Sequence, residues 1–231
     1  MKERSVSRRP RAAGAVGGLF LAFEGVEGSG KSTQASLLTD ELRRLGHAVV
    51  HAREPGSTPL GERIRSLVLD ESGLGIPPRS ELFLMLAARA AFVEQVVRPA
   101  LGDGGVVIAD RFELSTLAYQ GAGRGLPSDQ IAACNRFATE GLSPDATVLL
   151  ELSPDEGLRR QIAASKRPDR MESETRAFHE RVARGYTDLA TTLDGVVRVD
   201  ASGTIEDVRQ RVITALARRF PETFAQSGFI S

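Results

Sequence analysis

Cysteine is nearly absent from this chain of 231 residues: Cys134 stands alone. That excludes an internal disulfide and any cysteine-built metal centre, and it suits a reducing, cytoplasmic setting. Net charge is absent too, because 30 basic residues balance 30 acidic ones. Nothing in the overall charge therefore indicates a nucleic-acid partner or a membrane surface. No uninterrupted apolar run reaches the roughly 18 residues needed to span a bilayer. Internal repeats are missing, as is the Asn-Lys-x-Asp tetrapeptide that a guanine-reading switch carries. His47, His51 and His179 share no spacing and no acidic companion, which reads as structural or surface histidine.

What is present reads as one α/β domain. Residues 1–18 are basic and lack hydrophobic periodicity, so a disordered tail is expected there. Short apolar runs bounded by glycine or ending in a charge follow at 19-LFLAFEG-25, 47-HAVVHA-52, 105-GVVIAD-110, 145-DATVLLEL-152 and 196-VVRVDA-201. The first is apolar up to its closing Glu24-Gly25, as a buried parallel strand should be. Helical periodicity fills the intervals: from Lys31 to about Leu45, from Pro59 to Leu69, over 81–101 and from Thr204 to Arg219. Such alternation predicts a parallel five-stranded sheet flanked by helices on both faces. The domain is expected over 19–220, with a C-terminal tail at 221–231. The helix at 81–101 is apolar nearly all round and is expected in a core or a subunit contact.

Gly25-Val26-Glu27-Gly28-Ser29-Gly30-Lys31-Ser32 fills every fixed position of G-x-x-x-x-G-K-[ST], between a strand and a helix. Glycines let backbone N–H groups converge on phosphate oxygens, and the helix N-terminus adds partial positive charge. Lys31 is expected on the β- and γ-phosphates of ATP, Ser32 on Mg²⁺, and Thr33 beside them. Asp110 ends a strand where the crevice of an open α/β sheet lies, well placed for the metal, with Arg111 next to it for a second phosphate. Arg53 follows a strand on the same edge, while Arg65 and Arg89 sit on otherwise apolar helices and need partners. Together these arginines suggest a second anionic substrate opposite ATP. The variable positions of the phosphate loop include no cation but do include Glu27. The basic segment 159–174 is therefore expected as a lid that supplies positive charge to the moving phosphoryl group, from Arg167 first, Arg170 second, with Lys166 as the alternative.

The stretches 23-FEGVEGSGKSTQ-34, 53-REPGSTPLGERIR-65, 87-AAR-89, 110-DRFELSTLAYQGAGRG-125 and 169-DRME-172, in this order, resemble the bacterial thymidylate kinase family. The resemblance runs from Leu19 to about Phe220. It implies a P-loop kinase fold, ATP-dependent and Mg²⁺-dependent phosphorylation of dTMP to dTDP, and a homodimer. It also implies site roles. Glu27 would face the deoxyribose 3′-hydroxyl, and Arg53 and Arg111 would clamp the dTMP phosphate. Arg89, Thr116 and Gln120 would contact the thymine edge, and Tyr119 would lie below the sugar. Arg160 would belong to the lid on the ATP side. Where the family has phenylalanine stacked on thymine, this chain has Met85, and Ser57 replaces the second glycine of the REPG loop. Phe83 is not expected to substitute for the missing ring.

Overall fold

Alternation along the first strand determines how the layers are built. The computed structural model describes residues 18–69, 74–164 and 169–224. Within them, β1 (Leu19–Glu24), β2 (Val49–Arg53), β3 (Val106–Asp110), β4 (Ala146–Glu151) and β5 (Val196–Asp200) form one sheet in the order β2-β3-β1-β4-β5. Every pairing is parallel. Successive side chains of a strand point to opposite faces. Leu21 and Phe23 thus enter one core with Leu38, Ile108, Val148 and Val212. Phe20 and Ala22 enter another with Phe92, Val107, Ala109 and Phe112. Complete burial of a side chain such as Phe23 or Leu21 contributes about 1.5–3 kcal/mol.

The helical segments are α1 (Lys31–Arg44), α2 (Pro59–Leu69), α3 (Pro78–Phe92), α4 (Arg98–Gly102), α5 (Glu113–Thr116), α6 (Ser128–Ala138), α7 (Pro154–Ala163), α8 (Arg176–Thr192) and α9 (Ile205–Arg219). Side chains of α1 and α9 fill the first core, and those at the end of α3 fill the second. The helix expected over 81–101 begins earlier, at Pro78, whose missing N–H costs nothing in a first turn. It passes through a π-helical stretch, Val93–Val97, before α4. A second π-helical stretch, Leu117–Gly123, continues α5 and carries Tyr119 and Gln120. Such insertions are frequent at functional sites. This stretch packs closely against α8: a Cβ on Gly123 would lie 2.6 Å from the Phe178 ring, and one on Gly185 would lie 2.7 Å from Cβ of Ala122.

Strand register aligns the site. Phe23 and Arg53 both lie opposite Asp110, so the C-terminal ends of β1, β2 and β3 finish side by side. The packed chain also continues beyond the expected boundary at 220. Phe224 is fully buried in the first core, and His47 Nε2 lies 2.9 Å from the Thr223 carbonyl. Among the described residues, no helix is long and apolar enough to cross a membrane.

Candidate active site

The loop after β1 is built for an anion. Gly25, Gly28 and Gly30 take φ values of 141°, 71° and 90°, a region that favours glycine. A Cβ on Gly28 would meet the Gly157 carbonyl at 2.3 Å, so loop and α7 approach at backbone distance. Gly30 caps α1 without any side-chain hydrogen bond, leaving the first N–H groups of a 14-residue helix for a ligand. Lys31 folds back, donating to the Val26 carbonyl at 2.7 Å. Its ammonium pKa is lowered to about 8, chiefly by burial and then by the Arg111 charge, against the pull of Glu27 and Asp110. Multiple negative charges from a bound phosphate chain would restore it.

Arg111 follows β3 with φ 75°, a left-handed backbone that costs a non-glycine residue on the order of 1 kcal/mol or more. Its surroundings hold it there. The guanidinium donates to Ser115 Oγ (3.1 Å), the Tyr119 hydroxyl (3.3 Å), the Tyr186 hydroxyl (3.4 Å) and Glu27 Oε1 (3.4 Å). Beneath it, the fully buried Glu24 accepts from Phe112 N (2.8 Å), Ser115 N (3.0 Å), Ser115 Oγ (2.6 Å) and the Tyr186 hydroxyl (3.0 Å). Burial pushes the Glu24 carboxyl up despite these donors. Glu27 behaves differently. Burial alone would raise it, but the charges of Arg111 and Lys31 outweigh that and hold it below the usual carboxylate range. It accepts a very short hydrogen bond from the Tyr119 hydroxyl, and its second oxygen lies 3.7 Å from His179 Nδ1. The acid inside the phosphate loop thus faces Arg111, Tyr119 and His179, and is ionised.

A cleft of about 840 Å³ opens over this edge of the sheet. Glu27, Gly28, Ser29, Gly30, Lys31, Ser32 and Thr33 line it together with Asp110, Arg111 and Arg160. So do Arg53, Arg65, Met85, Arg89, Thr116, Tyr119 and Gln120. Gly25 and Val26 lie behind the loop, on a separate, smaller cavity. Arg53 is 54 % exposed and loosely paired with Glu62 at 3.2 Å, free to turn to an anion. Arg65 donates to the Pro55 carbonyl at 3.1 Å. Met85 packs with Ile64, Val68 and Ala88 at the cleft wall, whereas Phe83 is 61 % exposed and outside it, as expected.

Two expectations change. Arg89 reaches the cleft, but all five of its N–H groups are taken by the protein. Glu54 Oε2 accepts two (2.8 and 2.7 Å), and Thr116, Asn135 and the Phe112 carbonyl accept one each (2.8, 2.5 and 2.9 Å). In this structure it ties α3 to the loop after β2, to the start of α5 and to α6, with no N–H left over for a base. Arg170 does not line the cleft. It donates to the Val68 carbonyl (2.6 Å) and to Glu81 (2.6 Å), so its charge is spent on the base of the expected lid. Arg160 remains on the cleft, tied to Glu156 (3.2 Å) and the Ala201 carbonyl (3.0 Å). Lys166 and Arg167 lie outside the described residues.

The oxygens expected on Mg²⁺ are together: the Ser32 hydroxyl donates to Asp110 in a very short contact. No cluster of three or more His, Cys, Asp or Glu side chains suited to a metal occurs among the described residues. The pairing of two oxygens fits Mg²⁺, which is commonly held by one or two protein oxygens plus substrate phosphates rather than by a protein cage. Sequence reasoning missed Glu24, Glu54, Glu81, Ser115, Asn135 and His179. For Glu24 a signal was available, since a charged residue closing a strand buried on both faces needs several donors.

A family model described as thymidylate kinase matches residues 23–212. The chain is 42 % identical over 209 residues to the thymidylate kinase of Geotalea daltonii, covering 87 % of this chain and 98 % of that one. It is 46 % identical over 200 residues to that of Gloeobacter violaceus, covering 86 % and 94 %. The solved thymidylate kinase of Ehrlichia chaffeensis superposes with a TM-score of 0.71 at 30 % identity, covering 87 % of this chain and 99 % of that structure. With the phosphate loop, the Glu27–Arg111–Tyr119 cluster and the 2-3-1-4-5 sheet, these matches establish that the chain belongs to the thymidylate kinase family.

Proposed function

We infer that the chain transfers the γ-phosphoryl group of ATP to dTMP, giving dTDP and ADP. One observation carries this reading: the phosphate loop's own carboxylate, Glu27, is engaged by Arg111 and Tyr119, which line the same cleft. A single loop therefore orients both reactants, the source of much of the advantage in phosphoryl transfer. Backbone N–H groups of 28–33 and Lys31 hold the triphosphate, and Arg160 borders its outer end. Arg53 and Arg111 bind the dTMP phosphate, one of whose oxygens forms the new P–O bond as the bond to the ADP oxygen breaks. Glu27 accepts from the 3′-hydroxyl, Tyr119 underlies the sugar, and Met85, Thr116 and Gln120 border the base. Mg²⁺, held by Ser32 and Asp110, would neutralise charge on the β- and γ-oxygens. Arg167 is the candidate for further positive charge on the transferring group.

The enzyme works in the cytoplasm as a homodimer. Exposed apolar side chains support the second point: Leu60 and Leu67 recur seven residues apart on α2, and Phe83 projects from the neighbouring α3. Light scattering tests it, and a monomer at micromolar concentration refutes it. The activity is tested by ADP release across a panel of monophosphates with Mg²⁺ present. The highest kcat/KM is expected for dTMP, and thymidine, which gives Arg53 and Arg111 no phosphate, is expected to be a poor acceptor. Faster turnover of thymidine than of dTMP overturns the reading.

A further inference from the structure

Gln120 borders the cleft with a side chain of two possible meanings, because a primary amide is a donor at one end and an acceptor at the other. In this protein the choice is made from behind. Gln120 Nε2 donates to Glu81 Oε1 at 2.8 Å. Glu81 is completely buried in the first turn of α3. Arg124 donates to both its oxygens (Nε at 3.1 Å, Nη2 at 3.0 Å), and Arg170 donates to Oε2 at 2.6 Å. Arg124 is itself fixed by Glu174 at 2.5 Å and lies 4.6 Å over the Phe178 ring. Facing two guanidinium groups, the carboxylate is ionised, and an ionised carboxylate only accepts. The nitrogen of Gln120 is thus drawn inward, and its carbonyl oxygen is left for the cleft.

We propose that Glu81 is a positioning residue for base selectivity. By holding the Gln120 amide with its nitrogen inward, it presents an acceptor to the substrate base. It thereby favours pyrimidines with an imide N3–H, thymine and uracil, over cytosine, whose N3 is itself an acceptor. This rests on the dTMP reading of the same cleft. Two acceptors set against each other leave both without a partner, which is costlier than the loss of one hydrogen bond. A side chain at 81 able to donate would let the amide turn over and remove the bias.

The test compares kcat/KM for dTMP, dUMP and dCMP in the full-length enzyme and in Glu81→Gln, Gln120→Leu and the double variant. In Glu81→Gln the dCMP-to-dTMP ratio is expected to rise about tenfold, the worth of one oriented hydrogen bond. The dUMP-to-dTMP ratio is expected to stay put, since both bases carry the imide. In the Gln120→Leu background, Glu81→Gln is expected to add no change in either ratio. An unmoved dCMP ratio overturns the proposal, as does an equal shift in the Gln120→Leu background. A fall for all three substrates in step does so too, because it marks mere structural support. The wild-type enzyme supplies a measurement that needs no variant to fold. With dTMP bound, the Gln120 Nε2 protons are expected to exchange slowly, as for an amide nitrogen held by a buried carboxylate; fast exchange, as for a nitrogen turned to the open cleft, overturns the proposal. An enzyme that turns over none of the three substrates refutes the dTMP reading itself, whereas normal dTMP turnover with unmoved ratios refutes only the role of Glu81.

Discussion

Replacing Arg89 by methionine keeps an unbranched chain of similar reach but removes five hydrogen bonds from a buried junction. The guanidinium and its partner Glu54 are 4 % and 3 % exposed. Glu54 uses Oε2 for both contacts, and its Oε1 has no hydrogen-bond partner among the described residues. Burial raises the Glu54 carboxyl, and the Arg89 charge and hydrogen bonds only partly oppose this. Removing Arg89 therefore strands a buried acid, a change that typically costs about 3–5 kcal/mol. That is a large share of the roughly 5–15 kcal/mol by which a domain is stable. At about 2–4 °C per kcal/mol for a chain of this size, the melting temperature is expected to fall by roughly 6–20 °C. Adding Glu54→Leu is expected to recover much of the loss, because no stranded charge remains. Calorimetry of the two single variants and the double variant measures this, with the KM for dTMP taken well below each transition. An Arg89→Met enzyme that melts with the wild type yet shows a much higher KM refutes the structural assignment and restores Arg89 to the base.

Two other perturbations follow from the same contacts. Burial alone would raise the Glu81 carboxyl, but the hydrogen bonds from Arg124, Gln120 and Arg170 outweigh it and hold the group below the ordinary 4.5 of a glutamate. Its contribution is then complete above pH 4.5 and lost as pH falls through the lower folded value. Urea midpoints between pH 3 and 6 are expected to fall more steeply for the wild type than for Glu81→Gln, and parallel curves count against it. Met85→Phe puts a ring at the cleft wall and is expected to tighten dTMP by about 0.5–1.5 kcal/mol, the worth of a good aromatic pair. A raised KM in a folded variant shows that position 85 does not touch the base.

What could be read from the chain alone was whatever is local or periodic. The five strands are short apolar runs, and the phosphate loop is a contiguous motif whose glycines the backbone requires at φ 71° and 90°. Phosphate-loop chemistry and the sheet therefore emerged together. Partners distant in sequence did not. Arg89 reads as an arginine that needs a partner, but Glu54 lies 35 residues away and Asn135 46, and no spacing rule joins them. Arg170 sits in a basic segment that reads as catalytic, yet its charge is taken by Glu81, 89 residues earlier. His179 shows no acidic companion along the chain and acquires one, Glu27, only when α8 docks beside the phosphate loop. Phe224, beyond the last helix, reads as tail because only tertiary packing gives it a core to enter.

The fate of Arg170 sharpens where the transferring phosphoryl finds its positive charge. The phosphate loop offers Lys31, whose pKa of about 8 in the free enzyme reflects burial beside Arg111. Arg111 holds Glu27, Ser115 and two tyrosines only at 3.1–3.4 Å, contacts loose enough to yield to an acceptor phosphate. With Arg170 neutralised by Glu81, the basic segment keeps Arg167 as its remaining candidate, with Lys166 as the alternative. The two arginines are therefore expected to fail differently. Arg170→Ala removes hydrogen bonds to a buried carboxylate and to the Val68 carbonyl, at about 1.5–3 kcal/mol for a charged contact, and lowers the melting temperature while most of kcat survives. Arg167→Ala is expected to leave the melting temperature and the KM for dTMP nearly unchanged while lowering kcat by roughly 10³–10⁵, the mark of a contact made mainly in the transition state. Thermal scans with single-turnover kinetics on both variants separate the two. If Arg170→Ala abolishes turnover at an unchanged melting temperature, the ion pair with Glu81 opens during the reaction, and Arg170 is the cation that reaches the phosphates.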